Sequence, residues 1–242
     1  MMDKALLAGY ADSLRGDLNY PIDAPISIHI LLKKKNIHTY FHPLDENLLG
    51  MAVKQVDEKK RQIRLFMMIN TLHTYVTQRF TACHELYHLL FQESSSCSFE
   101  DFKDAAADDE ESNANYFAGC LMLPENGLKK YCESRRFEKF GIAEILALEH
   151  DFRCGHQLAT RRLKELGLID DSFAGELLAL DIVAIAKDYG YPTDIYKSTK
   201  KVELVSDYNF LARQLFDRGV ISQAKYLSIL RDMNIEKEDG EE

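Results

Sequence analysis

Apolar positions recur at helical spacing over residues 3–14 and predict a first helix. A second helical pattern opens at Pro25, a residue suited to a first helical turn, and runs through the apolar and lysine-rich stretch to residue 35. Three shorter runs follow, at 37–42, 51–56 and 62–69. Gly50 and the polar cluster 57–60 act as turn signals between them, so the three predict a small antiparallel sheet. From 75 to 91 the period is helical again, but nearly every side is apolar. Ala82, Leu86, Leu89 and Leu90 cover one side, and Phe80, Cys83, Tyr87 and Phe91 lie on or near the other. A helix apolar all round is a buried helix. The serine- and acid-rich stretch 94–111 reads as an exposed loop at its start. Helix resumes near Asp108, runs to Met122 and stops before Pro124, and another helix covers 125–138. Two helical segments over 142–169 meet at a polar break, 151–153. The chain beyond Asp170 is helical, with a break at Gly190, Tyr191 and Pro192.

The buried helix carries the sequence His84-Glu85-Leu86-Tyr87-His88. Residues four apart on a helix lie about 40° apart around the axis and about 6 Å apart along it, so two imidazoles can reach one ion from one face. Glu85 sits beside the first histidine, where a carboxylate can take a proton from a water activated by the ion. The bland alternative is a pair of core histidines and an accidental glutamate. Against it, Glu85 is the only acid between Phe80 and Phe91, and burying an unpaired carboxylate costs several kcal/mol. A catalytic zinc takes three protein ligands and keeps one position open. In the following helix Glu111, Asn115, Ala118 and Met122 share a face. We take Glu111 as the third ligand and Asn115 as a hydrogen-bond partner of a ligating histidine. Small Ala118 lets the two helices approach closely. Asp108, Asp109 and Glu110 are read as solvated charges that complement the helix dipole.

These residues resemble the ImmA/IrrE family of zinc metallopeptidases. The family's Arg-Phe-Thr lead-in stands here as Arg79-Phe80-Thr81. Its downstream ExxANxFA block runs from Glu111 through Ala114, Asn115, Phe117 and Ala118 to a Leu121-Met122-Leu123-Pro124 ending. The resemblance covers about residues 22–170. It implies Zn2+ as cofactor, Glu111 as third ligand, Glu85 as catalytic base and a minimal zincin fold. Two positions depart from the family pattern: Tyr87 stands where glycine usually precedes the second histidine, and Asn113 where a second glutamate is common. Tyr87 and Tyr116 flank the motif as candidate oxyanion or substrate groups, although core packing is the simpler role for both. His73 is a candidate substrate-cleft residue. The remaining histidines, including His29, His150 and His156, have no ligand-like spacing.

The fold class expected is α+β: a mostly helical zincin-like domain over 1–130 with a small antiparallel sheet, a helix-turn-helix-like segment over 131–170, and a helical C-terminal region over 171–242 ending in an acidic tail. The phrase Arg162-Leu163-Lys164-Glu165-Leu166-Gly167-Leu168-Ile169 matches one that closes the helix-turn-helix-like part of family members. The second helix of that part would start near Gly155 and present Gln157, Arg161, Arg162 and Lys164. A net charge of −9 argues against nucleic-acid binding as the main function. The segment is therefore read as a packing or partner-docking module. Five cysteines, an odd number in no disulfide or metal-knuckle spacing, suit a reducing compartment. A charged N-terminus and the lack of any long apolar run complete the expectation of a cytoplasmic protein. The resemblance implies proteolysis of a DNA-binding repressor, typically a helix-turn-helix protein. The alternative is a catalytically inactive zincin scaffold that regulates by binding a repressor or DNA.

Overall fold

A computed structural model describes residues 2–57, 62–92, 98–101 and 109–232. The expected turn at 58–60, the serine-rich loop start, Asp108, Cys97 and the acidic tail lie outside them. Helix α1 (Lys4–Asp17) buries Leu7, Ala11 and Leu14, and its N-cap Asp3 accepts from the Ala5 amide. Helix α2 is shorter than its pattern, Ile28–Lys34. It starts three residues past Pro25, after a stretch whose carbonyls accept from two buried arginines. Buried Arg15 donates to Pro21, Ile22 and Ala24, and buried Arg79 donates to Ile26.

The strands are β1 (Ile37–His42), β2 (Leu48–Asp57), β3 (Gln62–Asn70), β4 (Ser98–Asp101) and β5 (Glu203–Val205), in the order β4-β2-β3-β1-β5. The sheet is mixed, not antiparallel throughout. β1 runs parallel to β3, with Ile37 beside Leu65 and His42 beside Asn70, whereas β2 pairs antiparallel with β3. Alternation along β1 and β3 reports which face is buried and carries no sign of direction. Gly50 is also not a turn. It lies inside β2, where a Cβ would meet the Thr81 side chain at 2.6 Å and the Met68 carbonyl at 2.9 Å. Its bareness lets the sheet press against the next helix.

That helix, α3 (Tyr75–Leu90), is capped by Thr74 and buried along most of its length. It lies across β2 and β3 and packs against α4 (Asp109–Met122), whose Ala114 and Ala118 are wholly buried. α1 covers the other side of α4. Two arginines hold the far end of α4: Arg15 donates to the Leu121 carbonyl and buried Arg162 to the Leu123 carbonyl, groups that the helix end leaves without partners. Arg162 therefore faces the interior and is not a surface residue available to DNA. Gln157 and Arg161 are exposed, and Lys164 pairs with Asp171.

Helices α5 (Glu125–Arg135), α6 (Ile142–Phe152) and α7 (His156–Glu165) complete the body, with Arg153 left-handed at the break. α8 (Asp171–Leu178), α9 (Ile182–Asp188) and a short 3-10 turn lead back along α3 to β5, which pairs antiparallel with β1. α10 (Tyr208–Asp217) and α11 (Gln223–Asp232) form a hairpin. No helix among the described residues is long and apolar enough to cross a membrane. Of the cysteines, Cys83, Cys120, Cys132 and Cys154 are free.

A buried ion pair ties α6, α7 and the later turns together. His156 Nδ1 lies 2.6 Å from Glu149 Oε1, its Nε2 lies 2.8 Å from the Leu177 carbonyl, and the Tyr196 hydroxyl donates to Glu149 Oε2 at 2.6 Å. Burial lowers the His156 pKa, but the hydrogen bond and charge of Glu149 outweigh it, and the net shift is upward. A raised folded value means that the pair's contribution is complete below the unfolded value and fades as pH rises through the folded one. His156→Leu is expected to cost about 3–5 kcal/mol at pH 6 by leaving the buried Glu149 carboxylate without its cation, and less at pH 9. Urea unfolding of both proteins at the two pH values measures this. An equal loss at both would mean that the histidine carries no charge in the fold.

Candidate metal centre

The centre is built by two helices crossing at small residues. On α3, His84 and His88 are one turn apart and buried, with Glu85 wholly buried beside them. On α4, Glu111 sits in the first turn with its side chain one-quarter exposed, at the mouth of the site. The two Nε2 atoms are 3.0 Å apart. Glu111 Oε2 lies 3.0 Å from His84 Nε2, and Oε1 lies 3.4 Å from His88 Nε2. Donors about 2.05 Å from a tetrahedral ion stand about 3.3 Å from one another, so this spacing fits a single zinc-sized ion. Among the described residues these three form the one group of histidine, cysteine and acid side chains close enough to share a metal.

The tautomers point the same way. His84 Nδ1 faces Asn115 Oδ1 at 3.0 Å, and His88 Nδ1 faces Gln92 Oε1 at 2.7 Å. Both amide oxygens accept, so each ring carries its proton on Nδ1 and turns a bare Nε2 inward. Two nitrogen lone pairs and a carboxylate then face one another. A shared proton would relieve one of these contacts, whereas a cation relieves all three. Burial, then neighbouring His84, lowers the His88 pKa. Glu111 is held below its ordinary value, first by its contact with His84. Both shifts favour the unprotonated forms that bind metal.

Asn115 thus lies against the first histidine, one turn along α4 from Glu111. Gln92 went unnoticed in the sequence, although 84, 88 and 92 continue the same four-residue spacing. Tyr87 does not enter the cleft. One residue before His88 it points about 100° away, into a cluster with Phe91 and Phe117, wholly buried. Its hydroxyl donates to Glu110 at 2.8 Å, and burial followed by that bond raises its pKa. Glu110 is accordingly an anchor for a buried phenol, not merely a solvated charge. Tyr116 also leaves the site. Five residues past Glu111 it lies about 140° around α4, with the Arg162 guanidinium 5.5 Å and the Lys4 ammonium 5.0 Å from its ring centre. His73 precedes α3, and its Nε2 lies 3.1 Å from the Leu48 carbonyl at the start of β2. Asn113, at the second departure from the family pattern, accepts from the Met2 amide. Cys83 is no rival ligand, because burial pushes its thiol up to about 12.

The family model Peptidase_M78, described as IrrE N-terminal-like domain, matches residues 32–164, more than half of the chain and all of the centre just described. No curated protein matches the chain. The matched family is one of metal-dependent peptidases.

Removing a ring's partner should loosen the ion without unfolding the chain. Asn115→Ala is expected to weaken zinc binding about 10–100-fold, and His84→Ala to abolish it. Competition with a chromogenic chelator measures both. Unchanged affinity in Asn115→Ala would mean that the amide does not orient the imidazole.

Proposed function

This chain belongs to the Peptidase_M78 family of IrrE N-terminal-like domains, and from that premise we propose that it is a zinc-dependent endopeptidase acting in the cytoplasm on a DNA-binding repressor. The observation that carries the reading is the meeting of His84, His88 and Glu111 at tetrahedral spacing, with the buried carboxylate of Glu85 next to the first ring. Two imidazole nitrogens and one carboxylate are a donor set that suits zinc, and they leave a position for water and substrate. When bound, zinc supplies Lewis acidity toward the scissile carbonyl and makes water acidic enough to be deprotonated near neutral pH.

The remaining steps belong to the chain's own residues. Glu85 accepts the proton from the attacking water and returns it to the departing amine nitrogen, so the peptide bond breaks with one water consumed. Asn115 and Gln92 keep the two rings in the tautomer and orientation that the reaction needs. Sheet and α1 hold α3 and α4 in place so that Glu111 does not swing away from the rings.

A repressor as substrate rests on the resemblance and on charge. A protein with net charge −9 attracts a basic DNA-binding partner and repels DNA itself. The buried setting of Arg162 removes one of the cations that direct DNA contact would use.

Glu85→Gln keeps the shape and should leave zinc stoichiometry at wild-type level while slowing cleavage about 10²–10⁴-fold. The assay incubates the zinc-loaded protein with a helix-turn-helix repressor encoded beside it, and reads fragments by mass spectrometry. If wild type and variant both bind the repressor and neither cuts it, the chain is a regulator built on a zincin scaffold.

A further inference from the structure

We propose that the chain has a second ligand site, a pocket for a small aromatic carboxylate, at the first turns of α3. It lies against the β1–β5 edge of the sheet, the opposite edge from β4. A cavity of about 220 Å³ is lined by Ile28, Phe41, Tyr75, Thr71, Arg79 and Lys201 among others. A second hollow of about 280 Å³ shares Ile28, His29, Tyr75 and Arg79 with it. Arg79 is five residues before His84, hence about 140° around α3 and about 7.5 Å along it, on another side of the helix from the metal ligands.

Three observations give the pocket its chemistry. The first is Arg79, only 8% exposed. Its Nε donates to the Arg153 carbonyl at 3.0 Å and Nη2 to the Ile26 carbonyl at 2.9 Å. Both acceptors are neutral. No carboxylate pairs with Arg79 among the described residues, and its guanidinium lies 5.8 Å from the Tyr75 ring centre. Its charge is thus opposed by no anion among these residues, and a planar guanidinium matches a carboxylate in shape and charge. The acid that lines the cavity, Glu203, is already engaged by Lys201 at 2.8 Å and by His29 at 3.3 Å. The second observation is Thr71, wholly buried and lining the same cavity, whose hydroxyl has no hydrogen-bond partner. The third is the apolar wall: the His29 ring stacks on Phe41 at 5.2 Å and 2°, flanked by Ile28 and Tyr75. A flat apolar body against that wall with its carboxylate toward Arg79 satisfies all three. The volume falls below the roughly 300–1,000 Å³ of drug-sized pockets, which suits a ligand of about ten heavy atoms.

The pocket joins the family-matched body, which supplies Phe41, Thr71, Tyr75, Gln78 and the lead-in Arg79, to chain on either side of it. Ile28 and His29 precede the family match, and Thr199, Lys201 and Glu203 follow it. The segment 197–205 forms the outer wall and is tied to α3. Tyr75 donates its amide to the Lys197 carbonyl, Thr199 donates to Gln78, and Lys200 donates to the Thr71 carbonyl. An occupant would therefore touch both α3 and the segment laid across its start.

The test is a titration of the zinc-loaded full chain followed by amide nitrogen–proton spectra, with phenylacetate, the neutral phenylacetamide and inorganic phosphate as probes. Phenylacetate should give saturable shifts at Thr71, Tyr75, Arg79 and Thr199, with a Kd of about 0.1–1 mM for so small a ligand. Amides of His84, His88 and Glu111 should not move. Phenylacetamide and phosphate should bind at least about tenfold more weakly, as should phenylacetate to Arg79→Lys, which loses the fork that matches a carboxylate. Lys201→Glu, at an exposed position, should also weaken phenylacetate and serves if Arg79→Lys does not fold. No saturation by about 10 mM, equal binding of the amide or of phosphate, or shifts centred on the metal ligands would each overturn the proposal.

Discussion

Two imidazole nitrogens and a carboxylate meet at 3.0–3.4 Å where α3 crosses α4, and their mutual repulsion is one that a cation among them would relieve. The fold keeps them there, and much of its architecture can be understood as resisting that repulsion. α3 contributes both rings on a helix fixed along most of its length by the sheet and the surrounding core. α4 brings Glu111 from the other side, and its approach depends on Ala114 and Ala118 at the crossing. The end of α4 away from the metal is held by Arg15 and Arg162, which donate to carbonyls the helix leaves without partners. Neither arginine touches the centre, yet both fix the axis along which Glu111 points.

The centre was more legible in the sequence than the fold around it. Helical geometry is local, so the positions of His84, His88 and Glu111 on their helices followed from counting residues. Strand direction is not local. The parallel pairing of β1 with β3 depends on where the chain goes between them, and β4 and β5, with four and three residues, are too short to leave a pattern. Gly50 misled for a related reason: glycine marks a turn and a close contact with the same letter, and only the neighbouring helix distinguishes them. Tyr87 and Tyr116 stand beside the motif along the chain, but direction around the helix decides what they touch, and Tyr87 takes the core-packing role.

Buried charge was harder still to anticipate. Arg15, Arg79 and Arg162 are all deep in the structure, and their hydrogen-bond acceptors are mostly backbone carbonyls. A carbonyl leaves no mark in the sequence, so an interior arginine of this kind looks like a surface residue until the fold is known. Glu149 with His156 is the counter-example in principle, two oppositely charged residues seven apart. Their meeting nevertheless required the left-handed turn at Arg153 to fold α7 back onto α6.

The return of residues 203–205 to β1 has a bearing on how the chain can be handled. β1 sits between β3 and β5, so the last strand to join the sheet comes from beyond the family-matched body. A fragment cut to the matched residues would leave one rim of β1 with unsatisfied amides and carbonyls, a template on which another strand can add. The metal ligands would all be retained in such a fragment, yet its most accessible partner would be another copy of itself. Self-association of a shortened form would then report a missing hem on the sheet rather than a natural oligomer.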